Sequence, residues 1–309
     1  MTYTKLVRKT TILPVLLAIA SISASPFLMD ASADFLPTEP VPDTAILPDI
    51  TPGIPKHLYV HQGHQSEWLR FTNVWGNIGE GGLEFKPIIE VENPEEGTVT
   101  QAFQSLYDEE GEFRDSIVPV WSEIVTEFEF HETHNHWHIA GVGEFSVREA
   151  IPILDENDNV IEYEIGDIAI LPDGDESTAI KVGFCISDVY PYDGTSPGTS
   201  LKWYWECEVG YQGIQPGWVD QYHQATEDNE INITGLTEGT YFLTHTWNPE
   251  NFFVDENDEN DTAWMLFEIS KNNNGNGNRK VTELGGFAPA CDLENDTTPG
   301  LCAEVTKNS

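Results

Sequence analysis

Residues 68–85 read WLRFTNVWGNIGEGGLEF. Trp68-Leu69-Arg70-Phe71 is a short aromatic and apolar piece, Gly76-Asn77-Ile78-Gly79-Glu80-Gly81-Gly82 interrupts the chain, and Leu83-Glu84-Phe85 begins a second piece. Runs this short, cut by Gly and Asn, read as strands joined by turns, because Gly and Asn tolerate the backbone conformations that turns require. The pattern extends both ways. Leu58-Tyr59-Val60 lies upstream, residues 124–130, 144–147, 180–186, 231–233 and 241–247 lie downstream, and Met265-Leu266-Phe267-Glu268-Ile269 reads as the last strand. No stretch of twelve or more residues carries a helical stripe, and no internal repeat is visible. The expectation is an all-β, β-sandwich-like single domain with long loops over residues 46–270.

The 309 residues are 39% hydrophobic and 11% aromatic, enough for one substantial core and too apolar for a disordered chain. Fourteen basic against 53 acidic residues give a formal charge of −39. That field repels phosphates, so nucleic-acid binding is excluded, and it attracts cations such as protonated amines. It equally suits a surface solvated in a salty medium. Lys5, Arg8 and Lys9, an uncharged and mostly apolar run over 11–25, and Ala31-Ser32-Ala33 together read as a cleaved signal peptide over 1–33. The mature chain is then expected to be secreted, or held at the cell surface if the leader is retained, with no transmembrane segment of its own. A Pro-rich linker follows over 34–45, and an Asn/Gly-rich tail occupies 271–309.

Four cysteines agree with an oxidising compartment and allow three pairings. The economical pairing joins neighbours, Cys185 with Cys207 and Cys291 with Cys302, each closed loop contributing about 3 kcal/mol in the chain-entropy account.

Four of nine histidines fall within His131-Glu132-Thr133-His134-Asn135-His136-Trp137-His138. On a strand His134, His136 and His138 share one face, with His131 on the other parity unless the strand bends. Three imidazoles without thiolates are a ligand set for Cu, Zn, Fe or Ni, Cu(II) being the strongest binder of such nitrogens. A second tract, Asp255-Glu256-Asn257-Asp258-Glu259-Asn260-Asp261, offers the oxygen ligands calcium prefers, without the spacing of an EF-hand; its plain alternative is a solvated acidic loop.

The segment 129–138, followed by Glu144-Phe145-Ser146, resembles the copper-binding segment of the lysyl oxidase family. Ala179-Ile180-Lys181-Val182-Gly183-Phe184-Cys185 resembles the segment that carries that family's cofactor lysine, and the stretch from Gln212 through Trp218-Val219-Asp220-Gln221-Tyr222 the segment that carries its cofactor tyrosine. The resemblance runs in order over roughly 46–270. It implies Cu(II) held by His134, His136 and His138, and a lysine tyrosylquinone built from Lys181 and Tyr222. The implied reaction is oxidation of a primary amine, on peptidyl lysine or a small molecule, to an aldehyde, with O2 consumed and hydrogen peroxide and ammonia released.

Thr133, Trp218 and Asn229 stand where animal members carry cysteine, so Cys185 and Cys207 lack their usual partners and are left to each other. No residue is singled out as general base; His223 and Asp188 are the nearest candidates. Two rival readings are a secreted copper-binding protein without catalysis, which has no use for Lys181 or Tyr222, and a cupin-type metal oxygenase, against which Glu144 lies too far beyond His138 and no second cupin motif follows.

Overall fold

Alternation along single strands explains why these segments pair. In the strand Thr262–Lys271, Ala263, Met265, Phe267 and Ile269 point into the core and the residues between them point away, the two-residue period of a half-buried strand. The computed structural model describes residues 38–88, 91–108, 118–181, 184–191, 202–227, 229–271, 279–291 and 299–302, with only the backbone of Ile180 and Lys181. The expected leader over 1–33 lies outside the described residues.

In chain order the first strands are β1 (Ile50–Pro52), β2 (Lys56–Gln62), β3 (Glu67–Asn77), β4 (Leu83–Pro87), β5 (Val99–Leu106) and β6 (Trp121–His131). Next come β7 (His136–Ile139), β8 (Gly143–Leu154), β9 (Val160–Ile168), β10 (Thr178–Lys181), β11 (Tyr190–Pro191) and β12 (Gln212–Ile214). The last are β13 (Trp218–Tyr222), β14 (Glu230–Asn232), β15 (Gly239–Trp247), β16 (Thr262–Lys271) and β17 (Arg279–Phe287). Among the described residues the only α-helical element is the single turn Pro299–Cys302.

Among the described residues pairing is antiparallel and forms three sheets. The first runs β1-β3-β13-β11, with β2 and β14 also on β3; the second runs β10-β8-β15-β16-β17, with β9 also on β8; the third runs β12-β4-β5-β6-β7. The all-β expectation holds, with three sheets around one core. Trp75 of β3 packs the first sheet against the second. Its ring lies 5.6 Å from Trp247 of β15, 6.2 Å from Phe145 of β8 and 4.7 Å, edge-on, from Phe184. Phe253 links Phe85 of the third sheet to Trp247 of the second at 5.0 and 5.6 Å. His245 is buried inside this aromatic cluster, stacked on Phe145, and burial pushes its imidazole down to about 3, so it is neutral packing.

Two boundaries differ from the sequence reading. β16 is not the last strand: β17 follows the Asn/Gly tract and pairs along Trp264–Lys271, where a Gly285-Gly286 pair and polar residues had masked the strand pattern. Leu301, beyond it, is buried against Val74 and Val219. Both disulfides join the neighbours, Cys185 with Cys207 and Cys291 with Cys302. At the other end Val41 and Ala45 pack on the core and Trp121 Nε1 donates to the Glu39 carbonyl, so the end of the Pro-rich segment is seated on the sheets.

Candidate active site

The β6–β7 hairpin carries the histidines. Its register sets His131 opposite His136, Phe130 opposite Trp137 and Glu129 opposite His138. Directly paired residues lie on one face, so His131, His136 and His138 face the same way while Phe130 and Trp137 face the core, ring to ring at 5.4 Å. The apolar face anchors the hairpin and leaves the imidazole face free to be polar.

His134 is not on a strand. It sits in the turn between β6 and β7, held by His134 N–H to the His131 carbonyl at 3.2 Å and Asn135 N–H to the Glu132 carbonyl at 3.2 Å. Asn135 has φ 53°, the left-handed conformation that asparagine tolerates better than most residues. The turn, rather than a period of two, brings His134 over the other rings. His131 shares the face of His136 and His138 because the chain reverses after it, the bend that the parity reading had left open.

Ligand nitrogens of His134, His136 and His138 all lie within 4.8 Å of one another. His136 Nε2 is 3.0 Å from His138 Nε2, and His134 Nδ1 is 3.3 Å from the same atom. Burial, and then neighbouring His134, hold the His136 imidazole below its usual range, favouring the neutral form a metal requires. His131 stacks on His138 with ring centroids 4.3 Å apart, and its Nδ1 lies 3.4 Å from Glu96, whose other oxygen accepts from the Glu132 N–H at 2.5 Å. Glu96 thus ties the turn to the histidine that backs the cluster.

Tyr222 ends β13, opposite Asn73 of β3. Its hydroxyl donates to the Cys185 carbonyl at 2.5 Å and its ring meets Phe184 edge-on at 4.5 Å. Burial first, then the Asp220 carboxylate, raise the phenol well above its ordinary value. Phe184 is bonded in turn to the histidine hairpin, its carbonyl accepting from Ile139 N–H at 2.9 Å. Gln212 clamps the same two segments, accepting from Ile186 N–H at 2.9 Å and donating to the Trp137 carbonyl at 2.7 Å. Cys185 is disulfide-bonded to Cys207, in a 3-10 turn (Cys207–Val209) packed against β7. Five residues after Tyr222, Glu227 comes within 3.9 Å of His134 Nε2.

Lys181 ends β10, its backbone opposite Gly143 of β8; its side chain lies outside the described part. It is four residues before Cys185, a span of at most about 14 Å of extended chain.

Of the two general-base candidates, Asp188 is already occupied. Its carboxylate accepts from Trp203, Tyr204 and Gln215 backbone N–H groups and from Gln215 Nε2, at 2.5–3.1 Å, deep in the interior. His223 follows Tyr222, and its Nδ1 accepts from Ala225 N–H at 3.2 Å.

The acidic tract folds against β1. Asp255 accepts from Ile50 N–H at 3.1 and 3.2 Å and from Trp247 Nε1 at 3.1 Å, while Asn260 Nδ2 donates to Asp49 at 2.7 Å. Burial raises Asp255 to about 7; burial together with Asp255, Asp258 and Asp49 raises Asp261 to about 8. Asn260 Oδ1 and Asp261 Oδ1 are buried without a hydrogen-bond partner.

Residues 113–273, just over half of the chain, match the family described as lysyl oxidase. The chain belongs to the lysyl oxidase family. No curated protein matches it. The matched span of this lysyl oxidase family member contains the histidine hairpin, Lys181, the Cys185–Cys207 bridge and Tyr222. Membership supports a copper-dependent amine oxidase at the level of the family. Glu96 and Glu227 are contacts the sequence did not suggest: each is one of 53 acidic residues, and only the folding of distant loops onto the hairpin distinguishes them.

Proposed function

We propose that the chain oxidises primary amines, on peptidyl lysine or small molecules, to aldehydes, with O2 and water consumed and hydrogen peroxide and ammonia released. The observation that carries this reading is the convergence of three imidazoles on a hairpin bonded directly to the segment that orients Tyr222.

His134, His136 and His138 are the proposed copper ligands. The donor set fits: nitrogens about 2.0–2.1 Å from a divalent ion stand about 2.9–3.4 Å apart between square-planar and tetrahedral angles, and two of the separations here are 3.0 and 3.3 Å. Imidazoles without thiolate suit Cu(II). Tyr222 and Lys181 are the proposed source of a lysine tyrosylquinone, which would supply an electrophilic carbonyl for the amine and, with copper and O2, a two-electron oxidation. The protein's own share is orientation. The Cys185 carbonyl and the Phe184 ring fix the Tyr222 phenol, and the raised phenol keeps its proton on Oη at neutral pH in the unprocessed chain. Glu96 and Glu227 make the approach negative, which favours a protonated amine in the encounter.

A calcium ion is the second proposed cofactor, at Asp49, Asp255, Asn260 and Asp261. Carboxylates gathered against mutual repulsion, beside buried oxygens without donors, are a site that a hard cation stabilises. The acidic composition and the two disulfides support an exported protein.

The test is peptide mapping of chain loaded with copper under air. A single cross-linked fragment containing residues 181 and 222 is expected, with quinone absorbance and amine-dependent peroxide that Lys181→Ala and Tyr222→Phe each remove while copper stays bound. Separate, unmodified peptides from an active preparation would refute the cofactor assignment. Stoichiometric copper with neither quinone nor peroxide would favour the rival, a copper protein without catalysis.

A further inference from the structure

The outer half of the β8–β9 hairpin breaks the rule that governs the rest of the fold. β15 covers β8 only from Gly143 to Glu149. Beyond that point β8 and β9 pair with each other alone, and among the described residues no strand pairs with the far edge of β9. Ile151, Ile153, Leu154, Val160 and Ile165 are 38–49% exposed there and Ile161 is 65% exposed. A bare two-stranded ribbon is marginal by itself, and an edge strand is normally shortened, covered or blunted. Here β8 carries Pro152, which cannot donate to a neighbouring strand, whereas β9 contains no proline and presents, over nine residues, an edge that no described strand pairs with.

Charge decides what fits that edge. A second copy is disfavoured in the registers that overlap most around the middle of the strand: antiparallel self-pairing centred on Glu164 sets that residue against itself, and centred on Tyr163 it sets Glu162 of each copy against Glu164 of the other, on chains of formal charge −39. A strand with lysine or arginine at alternate positions reverses the sign of those same pairs. Its intervening apolar residues would meet Tyr163 and Ile165, which lie on the other face of β9.

We propose that the free edge of β9 docks an extended basic segment of another polypeptide by strand addition, with Glu162 and Glu164 selecting its cations and Tyr163 and Ile165 its apolar residues. The edge is remote from the candidate centre. From Gly143, opposite Lys181, to Pro152, opposite Tyr163, β8 runs about 30 Å. The inference stands apart from the amine oxidase reading and needs neither copper nor quinone.

The experiment is direct binding of fluorescein-labelled peptides to the full chain without copper. The probe is a ten-residue peptide alternating lysine and valine. Its controls are the same peptide with N-methyl groups on alternate residues, which removes strand hydrogen bonds but keeps the charge, and a glutamate–valine analogue. Binding of the first alone is expected, weakened about tenfold by Glu162→Lys with Glu164→Lys and less by Glu162→Gln with Glu164→Gln. These residues are exposed, and circular dichroism checks that the variants fold. Equal binding of the N-methylated peptide, or an affinity indifferent to the lysine variant, would reduce the effect to general attraction and overturn the proposal. So would a dimer of the free chain, seen by sedimentation, that Tyr163→Lys dissolves.

Discussion

The β6–β7 and β8–β9 hairpins depart from the inside–outside rule in opposite senses. The first holds a stacked group of imidazoles half-buried, and can do so because its other face is clamped by Phe130 and Trp137 against the core. The second holds aliphatic side chains in solvent, because beyond Glu149 neither of its faces reaches the core. Buried polar groups must be satisfied and exposed apolar ones are weakly penalised, so the two departures have unequal costs. The first requires a partner at the level of single atoms, and the second only admits one.

That asymmetry is easiest to break at His136. His136→Ala should abolish stoichiometric copper binding, measured by elemental analysis after dialysis, while leaving far-UV circular dichroism unchanged. Removal of one of three convergent donors leaves two, and the ring is only partly buried, so the hairpin keeps its Phe130–Trp137 anchor. Full copper occupancy in the variant would refute the ligand set, with His131, stacked on His138, the first replacement to examine.

A smaller effect is expected where β1 meets the acidic loop. Asp255 and Asp261 have folded-state values raised to about 7 and about 8. Raised carboxylates contribute most below their unfolded value near 4 and lose that contribution as pH rises through the folded value. The calcium-free chain should therefore lose thermal stability between about pH 4 and pH 8 from these groups. Calcium should restore it at pH 8 and do less at pH 5, where protons already neutralise Asp255 and Asp261. Asp255→Asn should raise the melting temperature of the calcium-free chain at pH 8 and shrink the calcium response. A melting temperature indifferent to calcium at pH 8 would mark the tract as a solvated loop.

The sequence disclosed the strands because their periodicity is local, and it disclosed the three histidines because a cluster of imidazoles is rare. It misassigned how they converge: a period of two and a turn with left-handed Asn135 both bring His134 to His136 and His138, and only the register of β6 against β7 separates the two. β17 was hidden by its glycines and charges, since a strand on a sheet edge need not alternate cleanly. Glu96 and Glu227 were illegible because an exposed carboxylate has no local signature; their roles depend on contacts 35 and 93 residues away in sequence. The pairing of Cys185 with Cys207 was legible from proximity, but not its consequence, which is to tie the carbonyl that receives Tyr222 to the turn beneath β7.

The smallest effect is expected on the second hairpin, and its smallness is the informative part. Ile161→Ser replaces a side chain that is 65% exposed on β9, which among the described residues pairs only with β8. Surface substitutions of this kind change stability by about 0.5 kcal/mol or less. In the same sheet Leu243, fully buried opposite Val147, should cost about 2–5 kcal/mol as Leu243→Ala. Urea denaturation of both variants measures the contrast, and copper occupancy should be unchanged in Ile161→Ser. A loss near the Leu243 value would mean that the ribbon packs against the body of the protein in solution. The edge of β9 would then be covered rather than open, and the docking proposal would fall with it. A near-zero change keeps the edge available, because a residue that the fold does not need for its own stability is free to serve a partner.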